Sequence, residues 1–468
     1  MYMREVVLIL IAFSFATVAT PQQLKFEDLV WPPTLPDGKQ IAIDSTVQFL
    51  KQDPQAEMQI SKEIDIAKTP PKIEFLFFPG QTYVPELWSN WSDGVTKGTK
   101  YYTAISDHSS PRGNAQIYEY DSKTKQIRML IDLRSFLEEP GKNRIPEGMD
   151  YTPGKIHNRL EFDSDGWLYF STHRGSIVDN TTDKRGYLGD NIYRIHPETG
   201  AQEIVAYYPM PKHTIPGSVL DSARMIYYGG TIPGNDSPDK GHWFIAYDMK
   251  NRKLLKKAAG GSPFYYIYSK STGCLYWGTS GNLKQQDELL YRIGEGRKYD
   301  PATNKITVCP EIPYVTSATV ESKEGKIYGT STKNPYIWRF DVKTEKLDTL
   351  TNIAVGEQIY TCSMDLDPVT ERYLYYVPGA HGGIIKEDVP IIQYDLKTGK
   401  HKILAFVGRY YKDNYGYEPD GTFSTALNDE GSILYITWNG NRAERVPGKG
   451  WDTTAMMAVY IPMSERLP

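Results

Sequence analysis

The sequence predicts an all-β fold, a seven-bladed β-propeller of four-stranded antiparallel blades. Three observations predict it: a two-part phrase that recurs along the chain, turn residues that punctuate it, and abundant tyrosine without a long helical pattern. The first half of the phrase gives DSDGWLYFSTH, STGCLYWGTS, KEGKIYGTST, VTERYLYYVPGAH and NDEGSILYITWNG. The second half gives IYEYDSKTKQIRML, IYRIHPETGAQEIV, FIAYDMKNRKLLKK, IWRFDVKTEKLDTL and IIQYDLKTGKHKIL. Each pair reads as four short strands, joined by turns rich in Gly, Asp, Asn and Lys-Thr. DSDG, from Asp163 to Gly166, is the tight turn between two of them.

Taken in order, the units centre near 100–134, 155–207, 218–259, 262–310, 315–354, 359–407 and 422–463. The last unit is one strand short. IEFLFFPG, from Ile73 to Gly80, is placed to supply that strand and close the ring, which removes exposed sheet edges. Residues 20–72 read as an arm laid on a propeller of residues 73–468. The start, MYMREVVLILIAFSFATVATPQQ, has Arg4, an apolar run and small residues up to Thr20. It predicts a signal peptide over 1–19 and a secreted or periplasmic protein. No later apolar run is long enough to span a bilayer after cleavage.

Composition narrows the function. Of 468 residues, 35 are Tyr and 9 are Trp, which suits half-buried strands and sugar-binding surfaces alike. A net charge of −4 without a basic stripe argues against nucleic acid as a partner. KLLKKAAG, from Lys253 to Gly260, reads as a solvated outer strand. Cys274, Cys309 and Cys362 are odd in number and fit no zinc spacing, so buried thiols are expected in place of a disulfide framework. Asn90, Asn180 and Asn235 lie in N-x-S/T sequons.

The histidines carry the sharpest signal. In a propeller, the loops before each innermost strand and after each second strand meet on one face. His157 and His213 fall before innermost strands, and His108, His173 and His381 follow second strands. His196, His242 and His401 belong to outer strands. Arg112, Arg159, Arg174, Arg224, Tyr265, Tyr266, Trp438, Asn439 and Asn441 are expected with the first group. Each has a plainer reading: a strand-end histidine also clamps blades, and an axial arginine, Arg159 above all, also bonds carbonyls. The concentration of five histidines on one face favours a site.

No HExxH, CxxC or EF-hand spacing defines a metal centre, so the metal ligands stay unknown and a divalent ion, Zn or Ca, stays an open cofactor. There is no G-x-S-x-G elbow and no phosphate loop.

The pair YYTAISDH…GNAQIYEYD and GKIH…DGWLYFSTH resembles secreted seven-bladed propeller proteins of carbohydrate-degrading microbes, including ulvan-lyase-type polysaccharide lyases. The resemblance implies β-elimination on an acidic, uronate-containing polysaccharide, with His and Tyr moving protons and Arg neutralising the carboxylate. It implies catalytic roles for His108, His157, His173 and Tyr265. Substrate contacts would then come from Arg112, Arg174, Arg224, His213, His381, Trp438 and Asn439. Two other classes fit the same fold: a non-catalytic glycan- or protein-binding propeller, and a metal-dependent hydrolase or lactonase.

Overall fold

The computed structural model describes residues 30–81, 88–142, 144–278, 296–309, 312–331, 334–442 and 450–467. The signal peptide expected over 1–19 lies outside them.

Among the described residues the strands form seven sheets, as the repeat predicts. Blade one holds Trp88–Ser89, Lys100–Asp107, Asn114–Asp121 and Gln126–Asp132, with Val95–Lys97 paired to the second of these. Blade two holds Glu161–Phe162, Leu168–Ser171, Ile192–Ile195 and Gln202–Ala206. Blade three runs from His213–Asp221 to an outer Lys253–Ala259, so the lysine-rich stretch is a solvated edge. Blades four, five and six begin at Ile267–Tyr268, Val315–Ala318 and Met364–Leu366. Blade seven combines Glu418–Leu427, Ile433–Asn441 and Thr453–Tyr460 with Lys72–Phe77 from the start of the chain. That strand pairs Phe75 with Met457 and Glu74 with Ala458, and so closes the ring.

The repeated phrase makes strands for a local reason. Asp163 shows how each turn is set: its Oδ1 accepts the amides of Asp165 and Trp167, both at 2.9 Å, so the chain reverses before LYFS. The β-branched and aromatic residues that follow then bury one sheet face against each neighbouring blade. Seven apolar clusters fill the seven blade-to-blade interfaces, from Ile117 with Leu168 between blades one and two to Tyr101 with Tyr435 between blades one and seven. The latter rings stack at 5.0 Å. All three cysteines are buried and unbridged.

The closing seam is both apolar and charged. Phe75 is fully buried, with ring centroids 4.7 Å from Tyr411 and 5.1 Å from Phe77. Glu74 beside it accepts the Tyr120 hydroxyl at 2.6 Å and the Tyr460 hydroxyl at 3.0 Å. The preceding segment is tied down too: Ala42–Ser45 pairs with Lys72–Phe75, Asp65–Ile66 runs parallel to Lys402–Ile403, and Asp44 accepts the hydroxyls of Tyr410 and Tyr415. Phe75→Ala is expected to destabilise the fold by about 3–5 kcal/mol in urea unfolding, because it leaves a cavity in the seam. A loss under about 1 kcal/mol would show that the seam does not hold the ring.

Candidate functional site

The loops that lead into innermost strands and out of second strands meet on one mouth of the ring, and a small eighth apolar cluster sits there. Cys362, Ala380, Phe423 and Trp451 form it, with Trp91, Tyr265 and Tyr360 packed against them. Three of the predicted histidines edge this cluster. Trp91 lies 5.0 Å from the His108 ring, 6.2 Å from His157 and 6.1 Å from His381, centroid to centroid. His157 packs on Phe264 at 4.8 Å and faces His173 at 6.1 Å. Their backbones are held by glycine. The Lys155 and His173 segments bridge through amide bonds of 3.0 and 2.8 Å. Gly175, at φ +88°, comes so close to the His108 carbonyl that a Cβ would sit 2.6 Å from it.

Lys155, in GKIH, is the residue that sequence reasoning missed. It stands directly opposite His173 in the bridge, and its Nζ lies 3.9 Å from the centre of the Trp91 ring. It is only 7% exposed, and among the described residues no carboxylate comes within salt-bridge distance of it. Burial, together with the Arg174 charge, pushes its pKa down to about 7. Arg174 likewise makes no ion pair among the described residues, and its Nε is buried without a hydrogen-bond partner. Asp190 feels the Arg174 charge, yet it accepts the Tyr151 hydroxyl at 2.7 Å and burial raises its pKa to about 7. The signal that would have found Lys155 was positional: a lysine two residues before a strand-entry histidine falls on the same mouth.

The histidines respond to this charge. Burial first, then the Lys155 cation, holds His157 and His173 well below the ordinary imidazole pKa, and the same two causes lower His381. The rings are therefore neutral at neutral pH, and their hydrogen bonds bear on the tautomers. The Gly175 amide donates to His173 Nδ1 at 3.1 Å, and Arg174 Nη1, which can only donate, lies 3.3 Å from Nε2, so both ring nitrogens face donors. Trp91 Nε1 donates to Ser89 Oγ at 2.6 Å, and Ser89 Oγ lies 2.6 Å from His108 Nδ1. With the serine hydroxyl accepting from Trp91 and donating a hydrogen bond to Nδ1, the His108 proton is on Nε2.

The other predicted residues divide. His381 is exposed at the rim and stacks on Tyr360 at 4.6 Å. The Tyr265 hydroxyl is buried beside the Cys362 thiol and makes no regular hydrogen bond. Tyr266 is spent on the Ser262 carbonyl at 2.8 Å. His213 is fully buried: Nδ1 meets Thr231 Oγ1 at 2.9 Å and Nε2 meets the Asp239 carbonyl at 3.2 Å, so it pins its strand. Arg112 turns outward to Glu138 on an exposed loop. Arg224 lies at the far end of blade three, in the turn between the first two strands, where it pairs with Asp221 at 3.0 Å. The expectation that it shares the mouth is corrected by that strand direction. Trp438 is enclosed in the core between blades six and seven. Asn439 holds the Asn90 backbone from both sides, at 2.6 and 2.9 Å, and so fixes the segment that carries Trp91. Asn441 lies buried at the end of the same strand. Of the sequon asparagines, Asn90 and Asn180 are buried and Asn235 is exposed.

Below the mouth the axis is plugged. Arg159 donates twice to Asp93, at 2.9 and 2.7 Å, and once to the Ala318 carbonyl at 3.1 Å. Ser363 bonds the other Asp93 oxygen at 2.7 Å, while Asp365 and Glu161 stand close by with pKa values raised by burial to about 6 and about 8. Arg159 is thus a paired bolt across blades, in contrast to Lys155 and Arg174. Among the described residues no three His, Cys, Asp or Glu side chains are grouped to hold a metal ion.

No family model matches the chain, and no curated protein matches it in sequence. Solved structures do resemble it in fold. Oligogalacturonate lyase from Vibrio parahaemolyticus shares 10% identity at a TM-score of 0.49, over 92% of this chain and 99% of that one. An oligogalacturonate lyase in complex with manganese shares 11% at 0.47, over 89% and 99%. Acylaminoacyl peptidase from Pyrococcus horikoshii shares 8% at 0.44, over 75% of this chain and 49% of the peptidase, so the chain spans about half of that protein. At these identities the likeness is one of fold and carries no chemistry with it.

The buried amine has a consequence for stability. Its folded pKa of about 7 lies below the ordinary lysine value, so below about pH 7 the fold bears the full cost of a buried cation. Between about pH 7 and pH 10 the unfolded chain binds more protons at this site, and stability rises with pH. Thermal unfolding of the native chain and Lys155→Met is expected to show the variant ahead at about pH 6, with its lead shrinking by about pH 9. A lead that stays constant with pH would contradict the assignment.

Proposed function

We propose that the protein is an enzyme that cleaves acidic, uronate-containing polysaccharide by β-elimination at this mouth, and that it acts outside the cytoplasm, secreted or periplasmic, after loss of residues 1–19. In this reading 20–72 are an arm and 73–468 the working propeller. One observation carries it: two cations, Lys155 and Arg174, held at the mouth with no ion-pair partner among the described residues, among neutral histidines and aromatic rings. The likeness of the histidine segments to ulvan-lyase-type proteins supports the same reading.

The chemistry asks for what is there. The proton to be removed lies next to a carboxylate, and the carbanion that forms would add a second charge to it. A guanidinium beside the carboxylate disperses that charge, and it does so most strongly in a site from which water is excluded. Arg174 is the group for this. His108, with its proton on Nε2, is a hydrogen-bond donor to a sugar oxygen. Trp91 and Phe264, both half-buried, offer apolar faces for the sugar rings.

The experiment is a panel of acidic and neutral polysaccharides, each with and without a chelator, read by the ultraviolet absorbance of unsaturated uronate. Product from acidic polymers alone is expected, and Arg174→Ala is expected to lower kcat/KM by about 10²–10³-fold. Binding without product would turn the reading to a glycan-binding propeller. Activity lost to the chelator, with saturated product, would turn it to a metal-dependent hydrolase or lactonase.

A further inference from the structure

We infer that Lys155 both takes the proton from the uronate and returns it to the leaving oxygen, so that elimination runs on one face of the sugar and favours uronates whose C5 hydrogen and C4 oxygen are cis. This rests on the β-elimination reading.

Among the described residues at the mouth, only one is free to act as the base. His173 has no free lone pair to offer, because the Gly175 amide faces Nδ1 at 3.1 Å and Arg174 Nη1 faces Nε2 at 3.3 Å. His108 is in the same state through the Ser89 and Trp91 chain. His157 has an unpartnered Nδ1, but burial and the neighbouring cation make it a weak base. His381 lies at the exposed rim against Tyr360. Asp190 is only 1% exposed, with Oδ1 taken by the Tyr151 hydroxyl and Oδ2 enclosed without a partner, so it is set behind the mouth. Lys155 remains: backbone-bridged to His173, poised over Trp91, unpaired with any carboxylate among the described residues, and deprotonated near neutrality because Arg174 and burial oppose its charge.

The proton count then fixes the stereochemistry. The Lys155 lone pair takes the C5 proton, the C–H electrons form the C4–C5 double bond, and the C4–O bond breaks toward the leaving oxygen. That oxygen needs a proton. A neutral imidazole would have to become an imidazolate to give one, and the Tyr265 hydroxyl is turned inward against Cys362 with its pKa raised far above ordinary phenol. The new Lys155 ammonium is the available acid, and it returns the same proton with no other co-reactant. One group can serve both atoms only if both lie on its side of the ring. Glucuronate and mannuronate meet that condition; galacturonate, guluronate and iduronate do not.

The test uses the full chain with defined oligouronates of both classes. The native protein is expected to release unsaturated product at least about tenfold faster from cis substrates, with kcat/KM rising through an apparent pKa near 7. Lys155→Arg, which keeps the charge but never the neutral amine, is expected to lose about 10²–10⁴-fold in kcat while still binding substrate. Preference for the trans class, or full turnover by Lys155→Arg, would overturn the inference while leaving β-elimination intact. No unsaturated product from either class would instead remove the reading beneath it. Should the arginine variant not fold, the substrate preference of the native protein decides alone.

Discussion

The rest of the site depends on one electrostatic constraint: two basic side chains share one mouth with no carboxylate in salt-bridge contact among the described residues. Lys155 and Arg174 repel each other, and each lowers the pKa of the imidazoles around it. Folded proteins rarely bury an unbalanced charge, because desolvation costs several kcal/mol per ion unless a partner repays it. Here the lysine responds by sitting near its neutral form. A carboxylate that entered the mouth would relieve both costs at once, which is why the arrangement reads as a receptor for an anion.

The axis just below shows the alternative that the same fold employs. Arg159, with a third of its side chain exposed, is fully engaged by Asp93 and a carbonyl of blade five. That pair locks blades together and raises the Arg159 pKa, where the mouth gives its cations no such partner among the described residues. The contrast separates a structural arginine, before the first strand of blade two, from an available one after its second strand. Precision at the mouth comes from the scaffold. Asn439 reaches across from blade seven to fix Asn90, and glycines let three loops stack backbone to backbone around Lys155 and His173.

Much of this was legible in the sequence because its causes are local. Turn residues such as Asp163 act within four positions, and strand alternation within eight, so the blades and their order could be read directly. Closure by the 73–80 segment followed from a missing strand, and the mouth followed from strand direction, which placed His108, His157, His173 and His381 together. What could not be read is set by contacts between distant residues. His213 has the right address but is consumed by Thr231 and Asp239. Arg112 has it too, and a glutamate on the following helix draws it away. Arg224 was misplaced because the first strand of blade three is nine residues long and carries the turn to the other end. Lys155 went unnoticed since nothing in GKIH says that the amine will lack a carboxylate.

The central claim is tested most directly by following the Lys155 side-chain resonance, with carbon-13 at the ε position, through a pH titration with and without an acidic oligosaccharide. The account predicts a midpoint near 7 in the free protein that stays well below the ordinary lysine value when the anion is bound, because Arg174 takes the carboxylate. A midpoint at the ordinary lysine value of about 10.4 in either state would contradict it.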